Sequence, residues 1–197
     1  MISVHKIKNY DDILIDIRHS NTLLVLDIDE TIIKFPEINQ KWWDDNLNYY
    51  YTLYEMGKAK KIVFNQWLEK IHNNDPIMLD INKYNLMIDK ANNHGYKIIF
   101  LTARPPDLRN ITEKNLDSCN IKYNKDDIYF LPNEIGIKNK GQIIIDIVQQ
   151  LTHINNIIFV DDVMHNIDSV INEFTSNDKY KQKYNLELYL MNHENLI

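Results

Sequence analysis

Apolar residues fall along this chain in two kinds of pattern. Short, nearly unbroken apolar runs occur at 22–28 (TLLVLDI), 96–102 (YKIIFLT), 157–160 (IIFV) and 186–191 (LELYLM). Runs of this length without polar alternation predict strands buried on both faces. Between them, apolar residues recur every three or four positions, the spacing of a helix face. Trp43, Leu47, Tyr50 and Tyr54 predict a helix over 40–56 that stops at Gly57. Phe64, Trp67, Leu68 and Ile71 predict a second. Ile81, Tyr84, Ile88 and Ala91 predict a third, after Asp80 and closed by Gly95. Ile143, Ile144, Ile147, Val148 and Leu151 mark a helix over 140–152. Helices are also expected over 10–18, from Pro105 and Pro106 to about Cys119, and over 163–174. Residues 127–137 predict two short extended pieces around Pro132 and Asn133, and 175–184 a polar loop. Strand and helix alternate, which predicts an α/β fold: a Rossmann-like parallel sheet flanked by helices.

Three of the strand runs end in reactive groups. The first ends in Asp27 and Asp29, with Glu30 beside them, the second in Thr102, and the third in Asp161 and Asp162. Ligands of open parallel sheets bind beyond the carboxyl ends of the strands, so these groups should converge on one edge. Crowded carboxylates resist ionisation unless a cation compensates them, and an all-oxygen donor set favours Mg2+. An Asp can attack phosphorus, a second Asp two residues on can give and take a proton, and Thr102 can hold a phosphoryl oxygen. Lys140 opens a predicted helix, where the helix dipole disfavours a cation by a few tenths of a kcal/mol or more, roughly. Nearby carboxylates and a phosphate would reverse that sign. Lys138 is the alternative, and Lys140 is preferred because Gly141 and the apolar helix follow it.

Composition narrows the picture modestly. The chain has 197 residues, 44% hydrophobic and 25% charged, enough for one domain with a modest insertion. A net charge of −6 argues against general nucleic-acid binding. The single cysteine, Cys119, excludes an internal disulfide and reads as a small buried hydrophobe. The N-terminal stretch lacks the apolar core of a signal peptide, and no segment approaches membrane-spanning length, so a soluble cytoplasmic protein is expected. His72, His94, His153 and His165 show no metal-ligand spacing, and Lys58, Lys60 and Lys61 read as a solvated helix edge.

Taken in order, DIDET, LTAR, NKGQ and FVDD resemble the four motifs of the haloacid dehalogenase superfamily. Trp42 with Trp43 and the form of IIFVDDVMHNIDSV are similar to a poorly characterised branch found in intracellular bacteria and large DNA viruses. The resemblance implies a catalytic core over 1–35 and 76–197, with 36–75 inserted after the first motif as a small helical cap. It implies Asp27 as the nucleophile that becomes an aspartyl phosphate, Asp29 as general acid and base, and Thr31 as support for the turn. Thr102, Ala103, Arg104 and Lys140 would bind the substrate phosphate. Asp27, Asp29 (through its carbonyl), Asp161 and Asp162 would hold Mg2+, with Asn166 as an alternative to Asp162. An Asp at position 29 is similar to the phosphatase branches.

Some readings stay open at this stage. Arg104 could bind phosphate or pair with Asp107 or a carboxylate of the site. Trp42, Trp43, Tyr50 and Tyr54 are expected to form the core of the cap rather than a stacking platform. The expected activity is hydrolysis of a phosphomonoester on a phosphorylated small molecule or macromolecule. A phospho-acceptor receiver domain fits less well, because here an Asp pair follows the Lys. A non-catalytic binding protein on the same scaffold would have had no reason to keep both acids.

Overall fold

A computed structural model describes residues 1–13, 21–132 and 138–192. Its elements are β1 (Ile2–Ile7), β2 (Thr22–Leu26), β3 (Ile33–Lys34), α1 (Gln40–Tyr51), α2 (Met56–Asn73), β4 (Ile77–Met78) and α3 (Ile81–Asn93). There follow β5 (Lys97–Thr102), α4 (Arg109–Ser118), β6 (Ile128–Phe130), α5 (Lys140–Gln150), β7 (Asn156–Asp161), α6 (Met164–Thr175), α7 (Asp178–Lys183) and β8 (Asn185–Met191).

Six strands form one sheet in the order β1-β8-β7-β2-β5-β6, and every pairing is parallel. The expected α/β class and flanked parallel sheet are thus found. Side chains alternate across the pleat. Leu24 and Leu26 of β2 pack with Phe100, Val160 and the Tyr84, Met87 and Ala91 face of α3. Leu23 and Val25 pack on the other side with Ile144 and Val148 of α5 and Val170 and Phe174 of α6. Sealed on both faces, β2 is wholly buried, and its residues 23–26 are all apolar. Each such side chain stabilises the fold by about 1.5–3 kcal/mol relative to exposure.

The chain order sets where a site can form. From β2 the chain moves outward to β5 and β6, then returns to β7 on the opposite side of β2. The reversal leaves a crevice between the carboxyl ends of β2 and β7, where α/β sheets bind ligands.

Several sequence expectations are corrected. β1 was not anticipated, because ISVHKI mixes polar and apolar residues. It is an edge strand, in register with β8 from Ile2 opposite Leu186 to Ile7 opposite Met191. The helix expected over 40–56 ends at Tyr51, where the Thr52 hydroxyl donates to the Tyr49 carbonyl at 2.7 Å. Gly57 is not its stop but lies in the first turn of α2, and Tyr54 falls between the helices, exposed. The polar loop expected over 175–184 contains α7, capped by Asn177 accepting from the Lys179 amide. Ile81, expected on the buried face of α3, is exposed, and Met87 is buried on that face instead.

Gly95 does end α3, as expected. It takes φ +70°, and the Tyr96 and Gly95 amides close back on the Ala91 and Asn92 carbonyls at 3.0 and 2.9 Å. Cys119 is buried in the core. Of the helix expected over 10–18, residues 14–18 lie outside the described residues, and Tyr10–Asp12 is a single 3-10 turn. Of the pieces expected over 127–137, Ile128–Phe130 is β6, and 133–137 lie outside the described residues.

Candidate functional site

The site begins with the turn that follows β2. The Asp27 amide still bonds to the Val160 carbonyl of β7 at 3.0 Å, so the residue is held by the sheet. The chain then closes tightly, with the Ile32 and Ile33 amides both reaching the Ile28 carbonyl. Glu30 sits in the left-handed region at φ 55°, an arrangement that costs a non-glycine residue about 1 kcal/mol or more. Thr31 anchors the turn. Its hydroxyl donates to Asp27 Oδ2 at 3.2 Å, and its carbonyl accepts from the buried Tyr10 hydroxyl at 2.6 Å.

Lys140 lies at the centre. It opens α5, yet its side chain is 1% exposed, and its Nζ donates to Asp27 Oδ1 at 2.5 Å and Asp161 Oδ2 at 2.7 Å. Lys138, the alternative, pairs at the surface with Asp146. Two local features bring Lys140 inward. Asn139 and Gln142 form a reciprocal cap at the start of α5. Gly141 lets α5 approach α6 closely, since a Cβ there would lie 2.5 Å from the Ser169 carbonyl oxygen.

Arg104 is buried and faces away from solvent. Its Nε and Nη2 donate to the two oxygens of Asp29 at 2.8 and 2.6 Å, and its Nη1 donates to Thr112 at 3.2 Å and Asn115 at 2.9 Å. A guanidinium has five N–H donors, so little of this one remains for a substrate phosphate. Of the readings left open for Arg104, the pairing with a site carboxylate is the one found. Thr102 is buried, and its hydroxyl accepts the Arg104 amide at 3.1 Å. Ala103 faces the cavity described below.

Asp161 ends β7 fully buried. It accepts from Lys140, from the Val163 amide at 2.8 Å, and from the Asn166 amide group at 3.0 and 3.1 Å. Asn166 therefore supports Asp161 with a donor. The neighbouring Asp162 is the residue that groups with Asp27 and Asp161, one oxygen of each lying within 4.8 Å of the others. Hard carboxylate oxygens this close fit a divalent cation.

The electrostatics point the same way. Burial pushes Asp27 well above the usual carboxylate range. Lys140 pulls it down, and Asp161, Asp162 and Asp29 push it up again. Burial, with Asp161 close by, raises Asp162 to about 7. Burial and Asp29 raise Glu30 to about 7. For Lys140, burial works against the ammonium, but Asp161 and Asp27 more than offset it and its pKa is raised. Five carboxyl groups, those of Asp27, Asp29, Glu30, Asp161 and Asp162, thus share this edge with two cationic side chains, Lys140 and Arg104.

A cavity of about 160 Å³ opens over these groups, with Asp27, Asp29, Asp162 and Lys140 on its floor and Trp42, Trp43 and Trp67 on its wall. Sequence reading missed several parts of the site: Tyr10 under the turn, Thr112 and Asn115 behind Arg104, and the left-handed backbone of Glu30. The helical spacing of Arg104's partners, Thr112 and Asn115, gave no signal, because both look like ordinary surface positions of α4.

The fold and this edge define an α/β protein with an acidic cluster at the switch point of a parallel sheet. Residues 6–130 match the family described as Protein of unknown function (DUF2608), and the chain belongs to that family. No curated protein matches the sequence. Among solved structures, the chain is similar to the class C acid phosphatase from Bacillus anthracis. That match has 15% identity and a TM-score of 0.47, over 87% of this chain and 67% of that one. The crystal structure of the same enzyme with tungstate bound matches at 15% identity and a TM-score of 0.48, with the same coverage. Among the described residues, no helix is long and apolar enough to cross a membrane.

Proposed function

We propose that this chain is a Mg2+-dependent phosphomonoesterase of the haloacid dehalogenase type, acting through an aspartyl phosphate on Asp27. The observation that carries the reading is the buried Lys140 ammonium shared between Asp27 and Asp161 at the ends of adjacent strands. Asp29 and Thr102 also serve Arg104, but the buried ammonium has no structural need for a further carboxylate at Asp162, whereas phosphoryl transfer uses all three.

An Asp27 carboxylate oxygen attacks the phosphorus as the ester P–O bond breaks. For the acid step Asp29 carries a proton on one oxygen, that oxygen exchanging its contact with Arg104 for the departing alcohol oxygen, to which the proton passes. Asp29, now a carboxylate, takes a proton from a water that attacks the phosphorus of the aspartyl phosphate. Inorganic phosphate leaves and Asp27 is regenerated. Lys140, the Thr102 hydroxyl and the Ala103 backbone bind the phosphoryl oxygens. Arg104 orients the Asp29 carboxylate rather than touching phosphate. The carboxylates of Asp27, Asp161 and Asp162, with the Asp29 carbonyl, would hold Mg2+. The ion supplies charge that lets an anionic carboxylate approach an anionic phosphate. Residues 1–35 and 76–197 form the catalytic core in this reading, and 36–75 the cap over it. The substrate is a phosphorylated small molecule or macromolecule.

The test is hydrolysis of an aryl phosphate with and without Mg2+. Wild type should turn over only with the metal, and Asp27→Asn should fall to background. Substantial turnover by purified Asp27→Asn would contradict the mechanism.

A further inference from the structure

The tryptophans of this chain number three, and all three stand on the wall of the cavity above Asp27. They are not equivalent. Trp42 and Trp67 pack against the apolar cluster of Phe35, Ile38, Ile71, Leu108 and Ile111. Trp67 is further held by the Phe64 ring, stacked at 5.6 Å, and by Arg104 over its face. Lys70 lies over Trp42. Trp43 belongs to neither arrangement. It is half-buried, lines the cavity, and among the described residues its indole has no ring, cation or side-chain hydrogen-bond partner. Trp43 was expected in the cap core with Trp42, but it is not among the side chains packed on that apolar cluster.

We infer that Trp43 is a stacking platform for the base of a nucleoside monophosphate, whose phosphate lies on Asp27. The inference rests on the phosphatase reading above and names the substrate class of that site. An indole left half-exposed beside a reaction centre loses little by receiving a flat ring and gains the stacking that any base offers. The surroundings favour a base over a bare phenyl ring. Gln40 lines the cavity near Trp43, and its amide nitrogen is tied to Asp44 at 2.9 Å, leaving the amide oxygen for a ring-edge N–H. Glu30 adds a carboxylate to the same cavity. A nucleobase carries N–H donors on its edge, and phenyl phosphate carries none.

The test separates ring recognition from catalysis. Asp27→Asn protein is titrated calorimetrically, with Mg2+ present, using adenosine 5′-monophosphate, phenyl phosphate and ribose 5-phosphate. The nucleotide should bind about ten-fold or more tighter than ribose 5-phosphate, as a single base stack supports. Adding Trp43→Leu should bring the two affinities together, and Trp43→Phe, which restores a ring, should keep most of the preference. Equal binding of nucleotide and ribose 5-phosphate, or a preference untouched by Trp43→Leu in a protein with an unchanged melting curve, would overturn the inference. Phenyl phosphate binding as tightly as the nucleotide would overturn the assignment of a base. If any of these occurs while wild type still hydrolyses an aryl phosphate, the ring inference alone fails and the phosphatase reading stands.

Discussion

The edge where β2, β7 and α5 meet and the helical pair of α1 and α2 differ in how fully their side chains are committed. At the edge, Lys140, Asp27 and Asp161 are all but inaccessible, and each has named partners. In the helical pair, α2 buries Ala59, Val63 and Ile71, but α1 has no buried residue at all, and Tyr49, Leu53, Tyr54 and Met56 are exposed in and beside the turn between the helices. The first region has one arrangement that satisfies its charges. The second keeps side chains free to meet something else. In the proposed function, chemistry that must be the same on every turnover falls to the first, and recognition of a particular substrate to the second.

The largest effect expected from breaking this contrast is at Lys140. Replacing it with Met leaves Asp27 and Asp161 buried without their shared cation. Breaking a buried pair from one side costs about 3–5 kcal/mol, so Lys140→Met should lower the urea midpoint severely and abolish turnover. Unchanged stability would mean the two carboxylates are held by other means.

A smaller loss is expected at Gly141. A Cβ there collides with the backbone of Ser169 and forces α5 away from α6. Overpacking of this kind costs about 1–3 kcal/mol. Because α5 carries Lys140, Gly141→Ala should lower kcat as well as the melting temperature. Loss of stability with kcat intact would show that the ammonium reaches its partners regardless of the helix position.

The smallest effect is expected between α1 and α2. Leu53→Ser at the exposed turn should change stability by less than about 0.5 kcal/mol, the usual range for surface positions. A loss above 1 kcal/mol would place Leu53 in a packed environment and weaken the contrast.

The same contrast explains what the sequence made legible. Strands sealed on both faces leave continuous apolar runs, so β2, β5 and β7 could be read, and with them the carboxylates at their ends. Lys140 stood out because a cation at a helix start is locally unfavourable. The edge strand β1 was not legible, because its burial alternates and its stability comes from pairing with β8, some 180 residues away. The break between α1 and α2 is hidden in the sequence because Tyr54 continues the helical spacing past Tyr50 while the backbone does not. The role of Arg104 could not be chosen from sequence, since pairing with Asp29 depends on how α4 brings Thr112 and Asn115 behind it. Trp43 was grouped with its neighbour because spacing along a helix does not say which of two adjacent indoles the core receives.

The most direct test of the account is to trap the covalent intermediate. Wild-type protein turning over an aryl phosphate in Mg2+ is quenched and treated with borohydride, which reduces an acyl phosphate on Asp to homoserine, and the peptide spanning β2 is sequenced by mass spectrometry. The account predicts homoserine at position 27, absent without Mg2+ and absent in Asp27→Asn. Sustained turnover with Asp27 unmodified, or with the label on another residue, would contradict it.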